Sequence, residues 1–358
     1  MTRIPRFGRL RRAAAGRRRP EGQRTGETGS RVSLLLLSLP GLAAVAALLF
    51  TWQQLGQSDR QLRINEQGQI TTRYNAAISN LGAESMDVRL GGIYALERIM
   101  RDSPPDHGTV VSVLSAYVRR HAPLPATSGP PADVHAAMNV LVRRPAAADA
   151  GLEIDLSHTN LRGWKPAYST GGESIHLNGA LLTGSDLSGA DLGAAELDGA
   201  RLNEANLTGA KLISAHLDHA DLLSAQLTGA RFDDAHLAHA FICHPARPCG
   251  DLSGTSFAHA DLTSAALTGA DLRESTLCND EYVTSVRRAP ASAPAPPPGR
   301  CALLRLAFLD AADLSGLDLR GVDLSGASVD KAKLVGADLT DATDTGLDGA
   351  DLTGVRGR

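Results

Sequence analysis

The sequence predicts a narrow repeat solenoid standing behind an apolar segment and a small helical module. Three observations carry that reading. A large apolar residue recurs at every fifth position from Leu177 to Leu227, and Phe232, Leu237 and Ile242 continue the count. A small residue, usually Ala, stands two places before nearly every one, as at Ala190, Ala205 and Ala220. Aromatic residues make up only 4% of the chain while Gly reaches 36, which suits a narrow shaft. Neither the helical period of 3.6 nor the strand period of 2 produces a strict five. A period sustained over so long a stretch marks a repeat architecture with one unit per repeat. Two inward residues per unit fill the shaft, and the other three face solvent.

Units such as Ala190-Asp191-Leu192 and Ala205-Asn206-Leu207 read A-(D/N)-L-x-x, and about half of the chain follows the pattern. In this it resembles the pentapeptide-repeat family. The resemblance implies a right-handed quadrilateral parallel β-helix in which each unit is one side of a square and four units make one coil. Contacts in such a solenoid run only between neighbouring coils.

Charge divides the chain. Residues 1–31 hold ten Arg against Glu21 and Glu27, whereas residues 151–358 hold 28 acids against 16 bases, although the whole chain carries only -3. The first segment reads as a basic disordered tail. Residues 32–52, VSLLLLSLPGLAAVAALLFTW, contain no charge and have the length of a transmembrane helix. Trp52 stands at its end, where an interfacial ring belongs. A cleaved signal peptide is the rival reading, but no clear small-x-small site follows the apolar run. Ten Arg precede the span and only Arg60, Arg63 and Arg73 follow it closely, so the positive-inside rule predicts a single-pass protein with a cytoplasmic N-terminus and an extracytoplasmic rod.

Residues 53–150 read as an α-helical module. A polar helix runs from Gln53 to about Leu81. Val88, Ile93, Leu96 and Met100 then share a helical face; Pro104-Pro105-Asp106 opens a further helix, and Pro130-Pro131 another. Arg119-Arg120 and Arg143-Arg144 close the last two, where positive charge is favourable. The string DVRLGGIYALERI is similar to a segment preceding the repeats in bacterial, often actinobacterial, members of the family. Its expected task is to cap the open end of the β-helix of residues 151–358, because an exposed sheet edge invites pairing.

The repeat starts weakly at Leu156 and Leu161, is expected to break from Trp164 to Gly172, and runs cleanly from Leu177. Two excursions interrupt it, at 243–249 and 278–301. From Leu304 the count resumes, and it slips after Leu339, as befits a terminal cap. At the usual ~4.8 Å between strands, the rod is roughly 35 Å long.

No nucleophile elbow, phosphate-binding Gly loop or metalloprotease motif is found, so neither enzymatic activity nor a cofactor is expected. All four cysteines bracket the excursions, which makes Cys243–Cys249 and Cys278–Cys301 candidate disulfides in an oxidising compartment. Four unrelated thiols, or zinc held with His244, are the alternatives. Six histidines fall at coil-related spacings: His176, His216 and His236 in one column, and His219, His239 and His259 in another. Together they are expected on one side of the square, either as a metal-binding face or as solvated polar positions.

The function expected is a non-enzymatic interaction or structural scaffold of the cell envelope, anchored in the membrane, with an unidentified protein partner. Nucleic acid is not the expected partner. An alternative comes from family members that mimic duplex DNA and bind gyrase; the acidic rod agrees with it, but the membrane span and the mixed charges do not. A carbohydrate or envelope-polymer binder is a third reading, which wants an aromatic platform the repeat pattern does not supply.

Overall fold

The structure, a computed structural model, describes residues 47–52, 65–145, 149, 151–167, 174–247, 249–278, 301–343 and 346–357. The chain divides into two units, Met1–Gly68 and Gln69–Arg358. In the first, residues 47–52 are helical, with Leu48, Leu49, Phe50 and Trp52 exposed. The basic tail and residues 32–46 of the expected span lie outside the described residues. Among the described residues no helix is long and apolar enough to cross a membrane.

The second unit begins within helix α1, residues 65–81. Helices α2 (Met86–Asp102), α3 (His107–His121) and α4 (Ala132–Val142) follow, with Pro104–Asp106 forming one 3-10 turn ahead of α3. The Pro residues supply a preset φ and lack the N–H that a first turn cannot use. The apolar faces meet: Ile93, Leu96 and Ile99 of α2, Val110, Leu114 and Val118 of α3, and Val134, Met138 and Leu141 of α4 are all buried. Gly92 lets α1 approach α2 closely, since an added Cβ would lie 2.8 Å from the carbonyl oxygen of Ala77.

Val88, expected on the buried face of α2, is exposed. The first turn of α2 turns Arg89 inward instead. Its guanidinium donates to Asp133 Oδ2 at 2.7 Å and to the carbonyl oxygens of Ala83 and Glu84. The Tyr117 hydroxyl donates to the same carboxylate at 2.7 Å. Burial, and then this bond to Asp133, pushes the Tyr117 phenol up to about 12. Burial alone would raise Asp133, but the bonds from Tyr117, Arg89 and the Val134 N–H outweigh it and leave its pKa lowered.

The rod is a parallel β-helix of four-sided coils. Bridges join residues twenty apart, as in Glu196 with His216 and Arg201 with Asp221. Along each side the central Leu N–H donates to the next coil, as from Leu197 to His216 O at 2.7 Å. Each corner is closed within the chain, as by Ala200 N–H to Leu197 O at 3.0 Å. The residue before that donor carries positive φ, here Gly199 at 64°, which explains why Gly recurs there. The Leu and Ala columns are almost wholly buried. The sides are numbered here from the Leu177 column (first) through Leu182 (second), Leu187 (third) and Leu192 (fourth).

The interruptions change spacing without breaking the ladder. Across the first, Arg231 pairs with Ser256 and His236 with Asp261, twenty-five residues on. The chain re-enters at Gly250, where an added Cβ would fall 1.6 Å from Ala225 O. Across the second, Asp261 pairs with Leu303 and Ala266 with Phe308, forty-two residues on; residues 279–300 lie outside the described set. The slip expected after Leu339 is present: Asp323 pairs with Thr343 at twenty, but Lys333 pairs with Asp351 at eighteen.

The start of the rod corrects the sequence reading. Trp164 does not break the helix. It fills the small-residue position of the first coil, equivalent to Ala190, and is fully buried. Ile154 and Thr159 occupy the positions of Ala180 and Ser185 in the same coil. With no coil before it, this one has room for large side chains, which close the shaft. Helix ends then lie on its open edge: Asn160 N–H donates to Ala122 O at 2.8 Å and His176 N–H to Val142 O at 3.0 Å. The terminal arginines do more than complement helix dipoles. Arg119 pairs with Asp155 at 3.0 Å, and Arg144 binds Asp149 at 2.6 Å while donating to His176 O at 2.5 Å.

Replacing Leu207, fully buried mid-rod, with Ala is expected to destabilise the protein by roughly 2–5 kcal/mol. Chemical denaturation followed by circular dichroism checks this; a loss below ~1 kcal/mol would contradict a close-packed shaft.

Candidate functional site

The inward positions are spent on packing, so a functional site has to be built from outward ones. On the first side, the residue before each central Leu runs His176, Glu196, His216, His236, Asp261 from coil to coil. His176 Nδ1 lies 2.8 Å from Glu196 Oε2. His216 and His236 stack with ring centroids 4.7 Å apart. Beside them, His219 and His239 stack at 4.8 Å, almost parallel at 5°. Asn178, Asp198 and Asp218 form a third row: each side-chain Oδ1 accepts the backbone N–H of the residue twenty on, at 2.9 Å.

Five of the six histidines therefore share one side, and His259 does not. It lies on the fourth side, where its Nδ1 is 3.3 Å from Asp234 Oδ1. The reason is the first excursion, whose five extra residues move every later position back by one side. Among the described residues, no group of three or more His, Cys, Asp or Glu is placed to hold a metal ion. Stacked imidazoles present faces, not converging nitrogens, to each other.

Both cysteine pairs come together. Cys243 and Cys249 have their Cα atoms 4.8 Å apart, and Cys278 and Cys301 4.2 Å apart, each pair joined at sulfur. His244 Nδ1 accepts the Ala246 N–H at 3.1 Å.

The abundant Asp residues of the repeat are occupied by the turns. Oδ1 accepts the N–H two residues on in Asp186, Asp221, Asp261, Asp313 and Asp323, at 3.0–3.1 Å. Hydrogen bonds from Arg273 and Arg320 hold Asp271 and Asp318 below the usual carboxylate range; Ser253, Ser325, Thr340 and Thr353 do the same for Asp251, Asp323, Asp338 and Asp351. A carboxylate kept ionised and already bonded is a poor general acid.

Counting in fives points inward, and it passes over one outward feature. Phe241 and Phe308 are exposed on the second side, 47% and 49%, and Ala266 alone separates them in the column. Leu303 and Leu306 are exposed on the adjoining first side. The signal available in the sequence was the residue before the central apolar one, which is usually polar and here is Phe.

The pentapeptide-repeat description matches the chain in eight copies, over residues 175–212, 205–241, 250–278 and 302–343. Among solved structures, HetL is 30% identical. It is a pentapeptide repeat protein involved in heterocyst differentiation regulation, from the cyanobacterium Nostoc sp. strain PCC 7120. The match covers 57% of this chain and 82% of HetL, with a TM-score of 0.41. QnrB1, a plasmid-mediated fluoroquinolone resistance protein, is 22% identical over 52% of this chain and 82% of its own, with a TM-score of 0.32. A pentapeptide repeat protein of the Arabidopsis thaliana thylakoid lumen is 20% identical over 50% and 74%, with a TM-score of 0.18. None of the curated proteins matches. The chain belongs to the pentapeptide-repeat family, whose fold is a right-handed β-helix.

Because Asp251, Asp271, Asp318, Asp323, Asp338 and Asp351 titrate below their unfolded values, their stabilisation is complete above an unfolded carboxylate pKa of ~4 and is lost as pH falls through the folded values. The urea midpoint is expected to fall progressively below about pH 4. Asp271→Asn with Asp318→Asn should shallow that fall; an unchanged acid limb would show that these bonds do not couple to folding.

Proposed function

We propose that the protein is a non-enzymatic binding scaffold, anchored in the membrane by residues 32–52, with a cytoplasmic N-terminus and the β-helix on the outer side. The observation that carries this reading is the division of side chains in the rod. Inward positions are filled by Leu and Ala, and the turn carboxylates are committed to backbone N–H groups. What remains is a set of rigid outer faces, and rigid faces serve recognition.

Three features support the anchored, outward placement: the uncharged run of 32–52, the ten Arg ahead of it, and the pairing of all four cysteines. Paired cysteines persist in oxidising compartments and are rare in the cytosol. The expected partner is a component of the envelope. The acidic balance of the rod favours the DNA-mimic alternative, which requires a cytoplasmic rod.

A reporter fused after Arg358 decides between them. An enzyme active only outside the cytoplasm is the expected result, and one active only inside would end the envelope reading. Peptide mapping of protein from native membranes, without reductant, is expected to find Cys243 linked to Cys249 and Cys278 to Cys301. Four free thiols would remove the redox argument.

A further inference from the structure

We propose that the second side of the rod binds an uncharged polysaccharide chain, its sugar rings stacking on Phe241 and Phe308. The two rings stand in one column, with Asp221 before them and Ser328 after. Both are about half exposed, in a rod whose outward positions are mostly polar or small. Phe241 and Phe308 lie two coils apart, about 9.6 Å at ~4.8 Å per coil. Ala266 between them is too small to obstruct a flat ligand.

A pyranose has an apolar C–H face and a hydroxyl-bearing rim. The face packs on an aromatic ring, and the rim needs hydrogen-bonding partners. The second side offers both in parallel rows. Across the strand from Ala266 and Phe308 stand Thr268 and Asp310, and Asp330 follows in the next coil. Asp310 is held in place through Oδ1, which accepts the Asp330 N–H at 2.9 Å and the Ser328 hydroxyl. A carboxylate so fixed keeps acceptor capacity for further donors.

Charge complementarity narrows the occupant. Asp330 is paired with Lys331 at 3.3 Å, which leaves the Asp310 carboxylate as the charge beside the rings; it accepts hydrogen bonds from hydroxyls and repels phosphate or sulfate, so an anionic polymer or an anionic membrane surface is disfavoured. A neutral glycan supplies donors and brings no charge. In an extended β-linked glycan, alternate rings present the same face at intervals of one disaccharide, a length close to two coils. Leu303 and Leu306 on the adjoining side widen the apolar floor.

The inference deepens the envelope reading by giving its partner a chemistry, and it rests on that reading only for the polymer being within reach. Binding in solution tests the surface whichever way the rod faces. The full chain in detergent is titrated calorimetrically with cello- and chito-oligosaccharides from disaccharide to hexasaccharide. Affinity is expected to rise with length and to fall roughly tenfold for Phe241→Ala or Phe308→Ala, one stacking contact each. The double variant should bind neither series, while Phe241→Tyr with Phe308→Tyr should bind both. Circular dichroism confirms that each variant is folded. Absence of binding by the parent protein to both series overturns the proposal, as does unchanged affinity in the folded double variant. It is also overturned if the Phe→Ala changes abolish self-association, or binding to phosphatidylglycerol vesicles, in a protein that ignores the oligosaccharides.

Discussion

The hydrogen-bond ladder between coils is the constraint on which the rest of the molecule depends. Each central Leu N–H donates to the coil after it, and the residue before each Leu donates to the coil preceding it. A side of five residues puts one large and one small side chain inside at every step. Any change in the residue count must therefore happen outside the ladder. The spacings show this. Residues pair at twenty in regular coils, at twenty-six in the first, and at twenty-five and forty-two across the excursions. An extra segment can leave only if its ends return to adjacent points. That condition brings Cys243 near Cys249 and Cys278 near Cys301, whatever the length between them. The spacing shortens to eighteen where Lys333 pairs with Asp351 and Asp338 with Arg356.

The two ends of such a ladder are its weak points, because an unpaired edge is a template for another strand. The chain solves the first end with large residues and with helices. Ile154, Thr159 and Trp164 take the place of small residues, and the backbone at Ala122 and Val142 accepts hydrogen bonds from the edge. Arg144 is the joint: buried, it reaches a helix carbonyl, Asp149 and a rod carbonyl together. His107 adds a second buried partner to the same Asp149, at 2.8 Å. The helical module and the rod are consequently one core, with apolar contacts continuous from Ile93 to Leu347.

How much of this was legible follows from which residues face inward. The Leu and Ala columns could be read directly, since one position in five has to be large. The closeness of Cys243 to Cys249 and of Cys278 to Cys301 was legible because each pair marks the ends of an excursion. His259 was misplaced because adding twenty assumes an unbroken coil, and the five extra residues of the first excursion shift it by one side. Val88 was misplaced because helical periodicity identifies an apolar face but not a neighbouring polar group, Arg89, that claims the inward direction. Trp164 looked like a break because its size suits no interior position, and only the absence of a preceding coil makes room for it. The exposed pair Phe241 and Phe308 was obscured by the repeat itself, in which apolar residues are taken to be interior.

A rod of this kind displays side chains at intervals that its backbone ladder fixes. Neighbours within a column stand one coil apart, and their turn-bonded carboxylates and stacked rings have little freedom left to lose. Recognition of a polymer whose own repeat matches the coil then costs little ordering on the protein side, since conformational freedom is among the terms that oppose binding. The same rigidity allows different chemistry on adjoining sides. His239 ends one side and Phe241 begins the next; Leu306 and Phe308 are related in the same way two coils further on. The corner between them joins a column of paired imidazoles and acids to an apolar strip. A buried interior is silent about function because its residues are chosen for packing, so what distinguishes one side from another for a partner must lie in these outward substitutions.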